Sequence, residues 1–452
     1  MSKYDKSIAL TKKFNEYYPG NHSNLRFTPM EATKHKVFID HAKGSRMWDV
    51  DGNEYIEFSS GLGPTLLGSC DEEYITALKA NIDKSATVLS SGVFFGEDDV
   101  WVAEKLTKYV PCAEQIKFAV TGTEAVQTAI RIACAYTGKN KVVRFTSHYH
   151  GWMDNVLGGL IKPGADGEYQ IYKDYETDDE LTQGLSPHAW DDVILLPWND
   201  FDALRNAFEK HHDEIAIIHF EAIVCNCLAM YPKPGFLELI RELCDKYNVV
   251  MSIDEVITGF RTGLSGVQKY LGITPDICTM AKAISGGLPM SLVAGKKKIM
   301  SYCFNDRKVI APGTYNGWNL GMAAVKTTIE ILEKDNCARY NHMLELQEKL
   351  TVGVMKLAEK YQMDLRVSEC PSVVFFLFGT KGGRKPIYSL DELEVDGFDM
   401  PLLNEIRAKL QAEGIIMIAG LRFYMTLAHT QADIDSTLAK FDKVLGEVVK
   451  GK

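Results

Sequence analysis

Several things are missing from this 452-residue chain, and each absence removes a class of function. Basic residues do not outnumber acidic ones: 50 Lys and Arg stand against 60 Asp and Glu, for a net charge of −10. Without a cationic excess there is no general attraction for phosphate backbones or anionic lipid, so neither nucleic acid nor membrane is an expected partner. A local basic pocket stays compatible with that balance. No apolar run approaches the ~20 residues of a membrane span. The opening MSKYDKSIALTKKFNEYY is charged throughout and lacks the apolar core of a secretory signal. Ten cysteines are scattered, and several, such as Cys134 and Cys278, lie inside helical or apolar segments. That pattern suits reduced thiols, and the expected location is cytoplasmic. There is no internal repeat, no low-complexity linker, no P-loop and no G-x-G-x-x-G after a strand, so a dinucleotide-binding dehydrogenase has little support.

What is present is ordinary globular material, 46% hydrophobic and 24% charged, enough for a large core. Residues 1–20 read as an amphipathic helix with Leu10, Phe14 and Tyr17 on one side, ended by Pro19-Gly20. KVFIDHAKGSRMWDVDGNEYIEFSSG reads as paired strands around Asp51-Gly52. From about residue 71, helices alternate with short apolar strands: IKFAV (116–120), KVVRF, DVILL, IAIIHFEAIV and NVVMSID. That alternation predicts a mostly parallel sheet covered by helices on both faces, an α/β fold. Residues 164–184 are polar and acidic and read as a surface loop. After about 320 come two helices, strand-like RVSECPSVVFFLFG, another helix, and a final amphipathic helix that Thr430 would cap. The expected division is an N-terminal segment 1–70, a large domain 71–319 and a C-terminal α+β domain 320–452, the two ends together making the smaller domain.

Four stretches carry chemistry. In DICTMAKAISGG, Lys282 follows an apolar strand, where an ammonium is costly without a partner or a task; alone it could be a snorkelling surface lysine. Thr121-Gly122-Thr123 sits between a strand and a helix, and a helix N-terminus offers unpaired N–H groups and a positive dipole end to a phosphate. SHYHGW follows strand KVVRF. There Tyr149 could lie flat on a planar ligand, whereas His148 and His150 lack further ligands at metal-site spacing, and no metal is expected. In MSIDEVITGFRTG an acidic pair ends a strand, and a buried Asp254 is expensive unless it faces a cation; a helix cap or a salt bridge to Arg261 is the plainer alternative.

A phosphate seat, a flat aromatic, a buried carboxylate and a strand-end lysine are together the parts that hold pyridoxal phosphate. The chain resembles the class III, fold-type I aminotransferases, and most closely the glutamate-1-semialdehyde aminomutase-like branch. The carriers are TGTEAVQTAIRIACAYTG, YHGW, IDEVITGFR, TPDICTMAKAISGGLP, PGTYNG and LAHTQADID, in that order along almost the whole chain. The resemblance implies a seven-stranded, mostly parallel sheet and a homodimer. It implies that Lys282 forms a Schiff base with pyridoxal 5′-phosphate and that Asp254 pairs with the pyridine nitrogen. Thr121, Gly122 and Thr123 would hold the phosphate, joined by Thr314 from a second subunit. Tyr149 and Val256 would flank the ring, Asn226 would meet its hydroxyl, and Glu221 matches the family's acidic strand residue, although Ala222 stands where a proline usually follows.

For substrate, the resemblance points to Arg26 and Arg422 as carboxylate anchors, a role the planar guanidinium fork suits. The chain departs from an aminomutase at Leu62, at Leu421-Arg422 where a glutamate is usual, and at Trp318, usually small or polar. Those departures favour a two-substrate aminotransferase taking an α- or β-amino acid and a 2-oxo acid. Glutamate-1-semialdehyde aminomutase and amino-acid racemase or epimerase chemistry are the alternatives on the same scaffold.

Overall fold

The computed structural model describes residues 3–19, 35–84, 94–159, 162–163, 169–170, 184–303 and 308–451. Arg26 lies outside the described residues, as does most of the expected 164–184 loop. The chain divides into two compact units. One comprises Glu73–Lys334 with Ile387–Glu392; the other comprises Met1–Glu72, Asp335–Pro386 and Leu393–Lys452.

The larger unit is built on seven strands: β1 (Gln115–Ala119), β2 (Lys141–Phe145), β3 (Val193–Leu196), β4 (Ile215–Phe220), β5 (Val250–Glu255), β6 (Ile277–Met280) and β7 (Ser291–Gly295). Their order across the sheet is β1-β7-β6-β5-β4-β2-β3. All neighbours from β3 to β6 run parallel, and β7 is antiparallel to both β6 and β1. The central strands β4, β5 and β6 are buried along their whole length, which is why they read as continuous apolar runs and not as alternating ones. Strand β7, in PMSLVAG, is an element that the sequence reading does not single out. The run IAIIHFEAIV is a strand only as far as Phe220, after which Glu221 opens a turn.

Helix α1 (Gly122–Thr137) follows β1 and presents Ala125, Ala129, Ile132 and Ala133 to a core shared with Ile217, Val250, Ile277 and Val293. Small alanines on that face let the helix lie close to the sheet and bring its first turn toward the carboxyl ends of the central strands. Its C-terminus is closed by Gly138 in the left-handed region, φ 72°.

In the smaller unit, strands 39–43, 46–49 and 54–57 form an antiparallel meander, and Ile415–Ile416 joins it in parallel beside Glu54–Glu57. A second sheet pairs Leu365–Cys370 with Val373–Phe378, flanked by Gly383–Arg384 and Arg422–Tyr424. The N-terminal helix spans Asp5–Tyr17. The last helix, Gln431–Lys450, starts in a reciprocal capping box between Thr430 and Asp433. Where two helices are expected after residue 320, there is one helical run, Asn319–Lys360, in which Asp335, Asn336 and Cys337 have φ of 51°, 55° and 62°. Three consecutive left-handed residues interrupt a right-handed helix locally, so the two expected helices meet at a backbone break inside one helical run. No described helix is long and apolar enough to cross a membrane.

Candidate active site

Strand β5 ends in two carboxylates whose side chains take opposite faces, as strand alternation requires. Glu255 turns to one side, where it accepts from the Val267 N–H (2.5 Å) and from Gln268 Nε2 (2.9 Å). Burial pushes its carboxyl up to about 7. This residue braces the chain: a Cβ on Gly266, at φ 64°, would run into its carboxylate.

Asp254 takes the other face and is buried. Oδ1 accepts from the Val256 N–H at 2.9 Å, and Oδ2 accepts from His150 Nδ1 at 2.7 Å. His219 Nε2 faces the same Oδ2 at 3.5 Å. Burial acts to raise the Asp254 carboxyl, but the imidazole donors outweigh it and hold the group well below the usual carboxylate range. Burial also pushes His150 down to about 4, so this imidazole is neutral and donates from Nδ1. The hydrogen bonds that Asp254 accepts come from the neutral His150 imidazole and the Val256 N–H. The trio His150, His219 and Asp254 has metal-ligand chemistry. In this structure His150 and Asp254 meet in a direct hydrogen bond of 2.7 Å.

The neighbouring strand supplies the lysine. In the β5–β6 register Asp254 lies beside Thr279, and Lys282 follows three residues later, at the carboxyl end of the sheet. Lys282 has φ 50°, in the left-handed region that costs a non-glycine residue roughly 1–2 kcal/mol. It begins a single turn, Lys282–Ser285, and the hydroxyl of Tyr74 donates to the Ser285 carbonyl at 2.6 Å, tying that turn down. Just beyond, the Pro289 carbonyl accepts from the Trp318 indole at 3.3 Å.

On the other side of Asp254, Glu221 is a brace. Its Oε1 accepts from the Tyr149 N–H at 2.9 Å and from Asn226 Nδ2 at 3.0 Å, and Oε2 accepts from the Asn226 N–H at 3.3 Å. Two residues expected beside a planar ligand are thus positioned by one carboxyl, which burial and the nearby Asp254 charge push up to about 7. His148 Nδ1 in turn accepts from the Glu221 N–H at 3.0 Å.

Helix α1 begins beside this cluster. Thr121 is its N-cap, accepting from the Glu124 N–H at 3.2 Å, while the Glu124 carboxylate accepts from the Thr121 N–H (2.8 Å) and hydroxyl (3.0 Å). The Thr121 hydroxyl therefore takes part in the helix cap. The N–H groups of Gly122 and Thr123 meet no protein acceptor among the described residues, as expected for a first turn. A Cβ on Gly122 would come within 3.2 Å of both Val256 methyls, and one on Gly151, at φ 103°, would come within 2.5 Å of Thr123 Oγ1. Those glycines let β5, the YHGW segment and the helix start converge.

Thr314 is exposed. Leu62 is exposed, with φ 71°, in the smaller unit. There too, the half-buried Arg422 guanidinium lies 5.0 Å from the centre of the Phe375 ring and donates to the Tyr424 hydroxyl at 3.3 Å. The sequence reading missed His219, Ser252 and Tyr74: the first two are lone polar residues in apolar strands, and Tyr74 is an aromatic on an ordinary amphipathic helix, with no local pattern to mark any of them.

A seven-stranded sheet with one antiparallel member, carrying its lysine and its buried aspartate on adjacent strand ends, has the architecture of the fold-type I pyridoxal-phosphate enzymes. Within that class the chain belongs to the class-III aminotransferases, whose sequence model matches residues 27–445. It is 31% identical over 453 residues to the glutamate-1-semialdehyde 2,1-aminomutase 2 of Staphylococcus haemolyticus, spanning 99% of this chain and 100% of that protein. Among solved structures it is similar to an omega-transaminase from Sphaerobacter thermophilus, with TM-score 0.84 and 25% identity over 97% of each chain. A glutamate-1-semialdehyde aminomutase from Pseudomonas aeruginosa PAO1 shares the fold with TM-score 0.82 at 21% identity, over 98% of this chain and 95% of that one.

Proposed function

We propose that this protein is an aminotransferase that moves an amino group from an α- or β-amino acid to a 2-oxo acid, with Lys282 and Asp254 at its centre. The observation that carries the reading is the buried Asp254 carboxylate, held ionised by imidazole donors on the strand next to the one that delivers Lys282. An anion maintained there has a use only when a cationic partner arrives.

Pyridoxal 5′-phosphate is the cofactor, and the residues present fit it. The unspent N–H groups of Gly122 and Thr123 suit its phosphate, and Gly122 and Gly151 leave room that side chains would fill. Bound, it supplies an electron-withdrawing ring that stabilises negative charge at the substrate carbon. Asp254 would favour a protonated ring nitrogen; a pair of unit charges at ~4 Å interacts by roughly 4 kcal/mol at an effective dielectric of about 20. Lys282 would hold the cofactor through its amine and, once free, its amine would serve as the general base of the site. Tyr149 and Val256 keep water from the ring faces, and Asn226 addresses the ring hydroxyl, with Glu221 fixing Tyr149 and Asn226. Arg422, its guanidinium against Phe375, and Arg26 are the proposed carboxylate anchors.

A self-paired assembly in which Thr314 completes a neighbour's phosphate site belongs to this proposal. Its support is that Thr314 is exposed on its own subunit, and that Phe94, Phe95, Trp152 and Tyr315 of the larger unit are exposed large hydrophobics.

The second reading, an aminomutase, is favoured by the full-length similarity to the staphylococcal protein of that name. Leu421-Arg422, Leu62 and Trp318 favour the two-substrate reaction. A panel of amino donors, followed by the absorbance of the bound cofactor, separates the two. A donor that bleaches the spectrum, reversed by a 2-oxo acid, is the expected result. Conversion of glutamate semialdehyde to aminolevulinate, with every donor inert, would reverse the order of the readings.

A further inference from the structure

His219 is the one residue of β4 whose side chain is neither apolar nor aliphatic nor phenyl, and the strand is buried along its whole length. Placing an imidazole there costs free energy unless its nitrogens are satisfied. In the β4–β5 register His219 lies directly beside Ser252, and Ser252 shares its face of β5 with Asp254 two residues on. The geometry is specific: His219 Nδ1 and Ser252 Oγ are 2.8 Å apart, and His219 Nε2 faces Asp254 Oδ2 at 3.5 Å with no other partner among the described residues.

Of the two neutral tautomers, only one makes both contacts favourable. A lone pair on Nε2 would point at a carboxylate oxygen, so Nε2 carries the hydrogen. Nδ1 is then the acceptor, and the Ser252 hydroxyl donates to it. We propose that His219, fixed in this tautomer by Ser252, is a positioning residue that presents a second N–H to Asp254 opposite the one from His150 and so fixes where the carboxylate points. At 3.5 Å the contact is long for a hydrogen bond, so its effect is chiefly that of an oriented dipole in a dry environment. His150, from the segment after β2, and the Val256 N–H hold one carboxylate oxygen each; His219, from β4, adds a second imidazole beside the oxygen that His150 meets and so narrows the direction in which it points. The inference rests on the aminotransferase reading, because it concerns how the aspartate meets the ring nitrogen.

The groups that face Asp254 are His150 and Tyr149 from the segment after β2, His219 from β4, and Glu221 from the turn after β4, with His148 and Arg144 next beyond the imidazoles. The experiment uses the cofactor-loaded protein and the variants H219F, H219Q and S252A, measuring kcat and KM for an amino donor and the pH dependence of the bound-cofactor absorbance. Loss of this oriented N–H dipole beside a buried charge is expected to lower kcat about tenfold in H219F, with KM nearly unchanged, and to move the absorbance transition. S252A should shift both in the same direction by less. H219Q, which keeps an N–H near the Nε2 position, should recover most of the loss. Wild-type kcat and absorbance profile in H219F and S252A would overturn the inference, as would an H219Q no better than H219F. If H219F does not fold, S252A, which leaves the imidazole in place, decides alone. A wild-type protein with no cofactor absorbance would instead defeat the aminotransferase reading itself.

Discussion

Lys282 combines two features that a lysine seldom shows together: a left-handed backbone, φ 50°, and a place at the carboxyl end of a buried parallel strand. The strain is tolerated because Tyr74 pins the turn that follows, which fixes where the amine emerges. Lys282→Ala should therefore fold, lose the yellow colour of the loaded protein, and lose activity by roughly 10²–10⁴-fold or more, measured as steady-state turnover. Parental turnover in that variant would refute the assignment. Asp254→Asn keeps the shape of the side chain and removes its charge. At roughly 4 kcal/mol for the ring pairing, a fall in kcat of about a thousandfold is expected, with partial cofactor retention after gel filtration. An asparagine variant within a few-fold of wild type would mean that the aspartate's charge is not what the ring requires.

The junction of helix α1 with β5 depends on what is not there at the element scale. Gly151→Ala would place a methyl 2.5 Å from Thr123 Oγ1 and force a left-handed alanine, φ 103°. Cofactor affinity should fall while the secondary structure stays intact, which equilibrium dialysis and circular dichroism check together. The opposite face of β5 yields a pH prediction. Glu255 and Glu221 are both raised from 4.5 to about 7. A carboxyl raised on folding keeps protons that the unfolded chain has released, so stability falls as pH rises from about 4.5 to about 7. Glu255→Gln should flatten that fall by up to ~1.4 kcal/mol per pH unit, seen as a loss of thermal midpoint that is larger near pH 5 than near pH 7. An unchanged pH slope would show that Glu255 is ionised throughout.

Much of this architecture is legible in the sequence, for physical reasons. Parallel strands buried on both faces announce themselves as apolar runs, and TGTEAV and IDEVITGFR place their polar residues at strand ends, where local composition changes sharply. What is not legible depends on pairing across the chain. His219 and Ser252 acquire meaning only through the β4–β5 register, and Tyr74 only through a carbonyl more than two hundred residues away. The reciprocal cap between Thr121 and Glu124 shows only in the folded chain. Strand β7 is missed because five residues of SLVAG, after Gly-Gly-Leu-Pro, resemble a loop continuation more than a sheet member.

For the whole molecule, the proposed assembly makes the site a shared property. Light scattering should give twice the chain mass of 50.6 kDa. Thr314→Ala should weaken cofactor binding without changing that mass, since a hydroxyl donor to a phosphate contributes on the order of 1.5–3 kcal/mol. A monomer with full activity would remove Thr314 from any partner's phosphate site and would require that site to be complete within one chain.

The central claim is that Lys282 is the amine to which the cofactor is joined, and one measurement addresses it directly. The loaded protein is reduced with borohydride, digested and mapped by mass spectrometry. The added cofactor mass is expected on the peptide carrying Lys282, within DICTMAKAISGG, and is expected to be lost from that peptide if an amino donor is added before reduction. A tag on another lysine, or one that no donor removes, would contradict it.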